Sequence, residues 1–272
     1  KDRILSYGEL LSSVILYNYF KKIYKDGVCR MKSENIIVKD IADNINYEET
    51  TKRLDDFFSM IDKRLIICPG YICSDKYGNI STLGRGGSDY TASIIGSIMN
   101  AESVELWTDV DGILTADPRY IQNTKSISHI SYSEMSRIAH YGANVIYTPT
   151  IYPLSINNIP LIIKNTLNPS FTGTIISKQP SNMDIISVLN DTILFKIYGS
   201  GLIGNKGISS RLFTALYNYN INIILISQTA NEYSIYVVVN KNNKELANYA
   251  INNEFKYEKN ILLTEILDKS II

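Results

Sequence analysis

The sequence predicts an α/β protein in two parts: a mostly parallel sheet covered by helices over residues 1–177, then a ferredoxin-like βαββαβ unit over residues 191–272. Three observations carry this. From Ser6 to Ile163, helical periodicity alternates with short apolar runs, the pattern of a parallel sheet with crossover helices. The polar stretch Lys178-Gln179-Pro180-Ser181-Asn182 then shifts the composition and opens a linker over residues 178–190. After it, apolar runs follow in the order strand, helix, strand, strand, helix, strand, a split βαβ arrangement. At 272 residues the chain exceeds the usual size of one core and has room for a second domain.

Each element has its own signal. Leu10, Leu11, Val14, Ile15, Tyr19 and Ile23 recur at helical spacing, with Gly27 as the stop. A second helix is expected from Glu48 to Ile61, feeding a strand from Leu65 to Cys68. Ser88 stands where it would cap a helix running through Ala101, followed by a strand from Val104 to Trp107. Asp111-Gly112 and Asp117-Pro118 are turn signals. Ser131-Tyr132-Ser133-Glu134 reads as a capping box opening a helix that ends near Gly142, and Pro160 to Ile163 returns as a strand. In the second part, strands are expected at 193–198, 221–226, 233–239 and 261–266, with helices at 209–219 and 244–252.

Lysine plus arginine and aspartate plus glutamate each number 27, so no summed field favours a nucleic-acid backbone or an anionic membrane. A small-molecule partner fits better. Cys29, Cys68 and Cys73 are odd in number and lack metal-site spacing. They read as buried thiols of a reducing, cytoplasmic compartment. No apolar run reaches the length of a membrane span. The chain opens on Lys1-Asp2-Arg3 without an initiator methionine, and it is expected to be a fragment whose N-terminus lies upstream.

Two glycine clusters could carry chemistry. Gly84-Arg85-Gly86-Gly87-Ser88-Asp89 falls between a strand and a helix. Its small residues let backbone approach an anion, while the helix N-terminus offers free N–H groups. Arg85 adds a planar fork for a carboxylate or phosphate, and Asp89 a charge for a metal, a lysine or a donor. The same residues also suit a plain glycine turn capped by Ser88, with Asp89 favouring the helix dipole. The second cluster, Gly199-Ser200-Gly201-Leu202-Ile203-Gly204, fits a dinucleotide fingerprint. The helix after it begins only past Gly207, however, and the next strand ends in Ser227-Gln228 without an acidic ribose partner.

The stretches Thr82 to Ala92, Trp107 to Gly112, and Ala116-Asp117-Pro118-Arg119 together resemble the aspartate kinase family, in order and at compatible spacings. Tyr141 to Val145 and Ile163 to Pro169, ending Gly173-Thr174, resemble the end of that kinase domain. The second of these is most similar to the bifunctional aspartokinase/homoserine dehydrogenase branch. Ser6 to Ser12 extends the resemblance to the start of the chain. It implies an amino-acid-kinase-like sheet followed by an ACT regulatory domain. It also implies transfer of the ATP γ-phosphoryl group to the β-carboxylate of L-aspartate, the first step toward lysine, threonine and methionine.

By the same resemblance, Glu9 holds the substrate aspartate, although Ser6-x-x-Glu9 is also a capping box. Arg85 pairs with the aspartate carboxylate, Gly86, Gly87 and Ser88 cradle it, and Asp89 organises the catalytic centre. Thr108 and Asp109 match the nucleotide site, as do Asn144 and Val145. Leu114 stands where the family usually has tyrosine, and Asn144 where it has lysine. Arg119 matches a phosphate-contacting arginine, or is a solvated turn residue. Mg²⁺ would be bridged through the phosphates, with no protein metal site. A carboxylate acceptor needs no general base, so His129 and His140 read as structural.

In the ACT part, Ile203, Gly207, Ile208 and Gln228 match effector-binding positions for an amino acid such as lysine or threonine, and a homodimer or larger assembly through ACT domains is implied. The family's Lys-Phe-Gly-Gly strand has no counterpart in these residues, so the fragment alone is expected not to catalyse. The alternatives are a non-catalytic effector-binding subunit, a decayed kinase, or a kinase of another small acid or of a nucleotide within the same fold superfamily.

Overall fold

The chain enters through α1 (Asp2–Leu5) and α2 (Tyr7–Tyr24). The apolar residues of α2 lie all round the helix rather than in one stripe. Ser13 is its buried residue, and Leu11, Ile15 and Tyr19 are exposed. β1 (Val28–Arg30) follows, and then α3 (Tyr47–Ser59), whose N-cap Asn46 accepts the Glu49 N–H through its side chain at 3.0 Å. α3 leads to β2 (Leu65–Ile67), which pairs in parallel with β1.

β3 (Ile72–Ser74) and β4 (Ile80–Thr82) form an antiparallel hairpin. Its turn is built by Asp75, which accepts the N–H groups of Tyr77 and Asn79, and by Gly78 at φ +81°. α4 (Gly87–Ile98) comes next, and Met31, Ile37, Leu54, Cys73, Leu83 and Ile94 pack these elements into one core.

A second sheet takes β5 (Val104–Thr108), β6 (His129–Ser131), β7 (Leu161–Asn165) and β8 (Thr174–Ser177) in the order β5-β7-β8-β6. β5–β7 and β6–β8 are parallel and β7–β8 antiparallel. α5 (Tyr132–His140) and α6 (Ile151–Asn157) connect these strands. The expected capping box forms: Ser131 Oγ and N–H donate to Glu134 Oε2 at 2.6 and 2.8 Å, and the Glu134 N–H returns to Ser131 Oγ at 3.2 Å. Ile130, Met135, Leu154, Leu161 and Ile176 fill the core beneath.

This computed structural model describes residues 1–140, 146–266 and 270–271. The chain divides into two units, one of Lys1–Thr115 with Gln122–Ile185, the other of Ala116–Ile121 with Ile186–Ile272. In the second unit β9 (Val188–Leu189) precedes β10 (Thr192–Tyr198), α7 (Ile208–Asn218), β11 (Ile223–Gln228), β12 (Ser234–Asn240), α8 (Lys244–Glu254) and β13 (Leu262–Ile266). β14 (Ser270–Ile271) returns to pair with β9. The order β11-β12-β10-β13, antiparallel throughout, is the expected ferredoxin-like sheet. Phe195, Ile197, Leu212, Leu216, Val237 and Ile251 are buried in its core. Among the described residues no helix is long and apolar enough to cross a membrane.

Candidate active site

Between β4 and α4 the chain turns through two left-handed glycines, Gly84 at φ +75° and Gly86 at φ +61°. Gly86 is itself the N-cap of α4, which carries no side-chain cap bond. Ser88 is therefore inside the first turn rather than capping it. The glycine sets the start of the helix by its backbone; the Gly87 N–H bonds back to the Gly84 carbonyl at 3.2 Å, and the Ser88 and Asp89 N–H groups that follow are left for an anion. Gly87 must also lack a side chain, since a Cβ there would fall 2.8 Å from the Tyr71 ring.

Glu9 meets this loop. It lies in the first turn of α2, and Ser6 does not bond it: Ser6 Oγ donates to the Arg3 carbonyl at 2.9 Å. A cavity of about 370 Å³ is lined by Glu9, Leu5 and Gly8 on one side, and by Gly84, Gly86, Gly87, Ser88 and Tyr71 on the other. Arg85 is exposed beside it. Asp89 is half-buried, with no hydrogen-bond or ion-pair partner among the described residues, and burial pushes its carboxyl above the usual range.

Tyr71 was not expected here. It holds a positive φ of 66°, rare for a bulky residue and a mark of a tightly determined backbone. Its N–H donates to Thr91 Oγ1 at 3.0 Å, and its carbonyl accepts the Leu83 N–H at 2.8 Å. The sequence signal was the turn Pro69-Gly70. Gly70 lets α4 approach, because a Cβ on it would meet Ser88 Cα at 2.8 Å.

Of the expected nucleotide residues, Thr108 and Asp109 stand at the C-terminal end of β5. Thr108 Oγ1 donates to Asp109 Oδ1 at 3.1 Å, and the Thr108 carbonyl accepts the Thr166 N–H at 2.8 Å. Asp111, another residue the motif reading passed over as a turn signal, accepts the side-chain amides of Asn165 and Asn168 at 2.8 and 3.2 Å. Leu114 is half-buried and bridges to Ser126. Arg119 belongs to the second unit and is exposed. It closes its fork on Asp117, with Nη2 2.6 Å from Oδ2, the geometry of a turn residue. Asn144 and Val145 lie outside the described residues.

In the second unit, Gly207, Ile208 and Gln228 line one cavity of about 290 Å³. Gly207, at φ +87°, is the N-cap of α7 and no side chain caps that helix. Ile203 is 52% exposed and not part of that lining. Glu232 joins it unforeseen, accepting the Gly204 N–H at 2.9 Å. The dinucleotide-like glycines have a packing reason instead. A Cβ on Gly199 would collide with the Asn260 carbonyl, and one on Gly201 would sit 2.7 Å from Ile261.

Comparison with known proteins agrees with this architecture. The model of the amino acid kinase family matches residues 1–165, and that of the ACT domain residues 195–255. The bifunctional aspartokinase/homoserine dehydrogenase 2, chloroplastic, of Zea mays is 33% identical over 267 residues, covering 94% of this chain and 29% of its own length. The crystal structure of Clostridium acetobutylicum aspartate kinase matches with a TM-score of 0.82 at 27% identity, covering 97% of this chain and 60% of that one. E. coli aspartokinase III, solved in complex with aspartate and ADP, shares the fold with a TM-score of 0.72 at 23% identity, over 97% and 61% of the two chains. The chain belongs to the amino acid kinase family and carries an ACT domain. Within that family its relatives are the aspartate kinases, among them the bifunctional aspartokinase/homoserine dehydrogenases. It spans less than a third of the maize relative's length.

Proposed function

We propose that this chain is part of an aspartate kinase, which moves the γ-phosphoryl group of ATP to the β-carboxylate of L-aspartate to give 4-phospho-L-aspartate, the first step toward lysine, threonine and methionine. The observation that carries this is the shared cavity of Glu9 and the Gly84–Ser88 loop. An amino acid presents both an ammonium and carboxylates, and this cavity offers a carboxylate on one wall and a glycine-rich anion loop on the other. The kinase portion covers residues 1–177, the linker 178–190 and the regulatory domain 191–272.

In this reading Glu9 holds the ammonium of aspartate and Arg85 pairs with a carboxylate through its planar fork. Backbone N–H groups around Gly86 to Ser88 offset charge where the acceptor meets the phosphoryl group. The attacking carboxylate oxygen bonds to the γ-phosphorus as the β–γ bridging bond breaks and ADP leaves. The acceptor is already ionised, so placement rather than proton removal is the protein's work. Thr108, Asp109 and Leu114 border the nucleotide, with Asn144 and Val145 as further nucleotide residues. Mg²⁺ takes few protein ligands and keeps phosphates and water, so it would be held through the phosphates, while Asp89 organises the catalytic centre. The ion, when bound, neutralises charge on the transferring group.

The cavity at Gly207, Ile208 and Gln228 supports a regulatory role, with lysine or threonine as effector, in a homodimer or larger assembly acting in the cytoplasm. The direct test is hydroxamate formation from aspartate, ATP and hydroxylamine, using the chain with any residues its gene encodes on either side. No product sinks the reading, and calorimetry with lysine and threonine tests the effector.

A further inference from the structure

Gly86, Tyr90 and Tyr147 close a triangle at the start of α4. The Gly86 carbonyl accepts the Tyr90 N–H at 2.9 Å. The Tyr90 and Tyr147 rings meet edge to face, with centroids 6.4 Å apart and planes at 75°. The Tyr147 side chain lies so close to Gly86 that a Cβ there would stand 2.6 Å from its Cγ.

The left-handed state of Gly86 needs a cause, because glycine visits other backbone regions about as readily. Core packing is not the business of Tyr147: its neighbour Ile146 is 5% exposed and enters the core, whereas Tyr147 is 37% exposed. Its ring instead covers the glycine. We propose that Tyr147 is a positioning residue, which holds Gly86 in its left-handed conformation and so keeps Arg85 and the open N–H groups of α4 directed at the Glu9 cavity. The role assigned to that cavity rests on the proposed aspartate site; the clamp itself does not.

Two readouts separate the two. The first is kinetic: Tyr147→Ala is expected to raise the aspartate KM about tenfold and leave the ATP KM within about twofold, with Tyr147→Phe restoring wild-type values. The second needs no substrate. Arg85-Gly86 is a trypsin site in the clamped loop, and Lys76-Tyr77, in the β3–β4 turn, is a reference site. Cleavage after Arg85 is expected to run about tenfold faster in Tyr147→Ala, with cleavage after Lys76 unchanged. If Tyr147→Ala does not fold, Tyr147→Leu, which keeps bulk without the edge-to-face pair, takes its place. Arg85 cleavage at the wild-type rate, or equal acceleration at both sites, overturns the proposal. Selective Arg85 cleavage in a protein that makes no hydroxamate supports the clamp and removes the aspartate reading alone.

Discussion

Asp111 and Asn165 lock the ends of two parallel strands together: the Asn165 side-chain amide donates to Asp111 Oδ1 at 2.8 Å, just past the Thr108–Asn165 pairing of β5 with β7. Asn165 is 8% exposed, and its own oxygen takes the Leu167 N–H at 2.8 Å. Asp111→Ala leaves this buried amide without its acceptor, and the expected loss is about 1–3 kcal/mol in denaturant unfolding. Because the same carboxylate frames the Thr108–Asp109 end of β5, the ATP KM should rise several-fold while the aspartate KM holds. An unmoved ATP KM in a destabilised variant would leave Asp111 a purely structural tie.

The glycine loop makes a sharper contrast. Gly78 and Gly86 both have positive φ, at +81° and +61°, but a Cβ on Gly78 meets nothing within 4 Å whereas one on Gly86 runs into Tyr147. Gly78→Ala is expected to cost only left-handed strain, ~1 kcal/mol. Gly86→Ala adds overpacking of roughly 1–3 kcal/mol, because the tyrosine has to move. Thermal unfolding of both variants compares the two positions directly.

These contrasts show what was legible beforehand. The ferredoxin-like unit could be read because its strands β10 and β12 run for seven residues each, β10 mostly alternating buried and half-buried positions and β12 as a nearly continuous buried apolar run. β1, β3 and β6 are three residues long, too short for any period to declare itself, so the strands beside the site stayed hidden. The glycine loop was visible through composition and Glu9 only through resemblance. Tyr71 and Tyr147 were not seen at all, and Asp111 only as a turn signal, because their roles depend on a positive φ, contact with a glycine distant in sequence and a cross-strand hydrogen bond. The expectation that Ser88 caps α4 failed for a related reason: a left-handed glycine can begin a helix without any side-chain acceptor.

Asp89 should leave a pH signature. Burial raises its carboxyl above the ordinary 3.8, so the folded state binds this proton more tightly than the unfolded chain does. The stability that this proton confers is complete below the unfolded value and is lost as pH rises through the folded one. Asp89→Asn is thus expected to melt roughly 1–2 °C above wild type at pH 7, with the difference closing as pH falls toward 3.8. The same variant should lose hydroxamate formation if the carboxylate serves the catalytic centre. A melting difference that stays constant with pH would place the effect outside Asp89 ionisation.

The cysteines carry the last prediction. Burial pushes the thiols of Cys68 and Cys73 from 9.0 up to about 11, and Ser33 Oγ lies 3.0 Å from the Cys68 sulfur. Only the thiolate attacks a disulfide reagent. At pH 8 both thiols should therefore react much more slowly than the less buried Cys29, and their rates should climb about tenfold per pH unit with no plateau near pH 9. Stability conferred by the two protonated thiols is whole below 9.0 and falls as pH passes toward 11. Labelling each cysteine across pH 7–10, read by peptide mass, checks this. A plateau near pH 9 for Cys68 would mean that its sulfur meets water in the folded protein, and that the β2–α4 core around it opens on the labelling timescale.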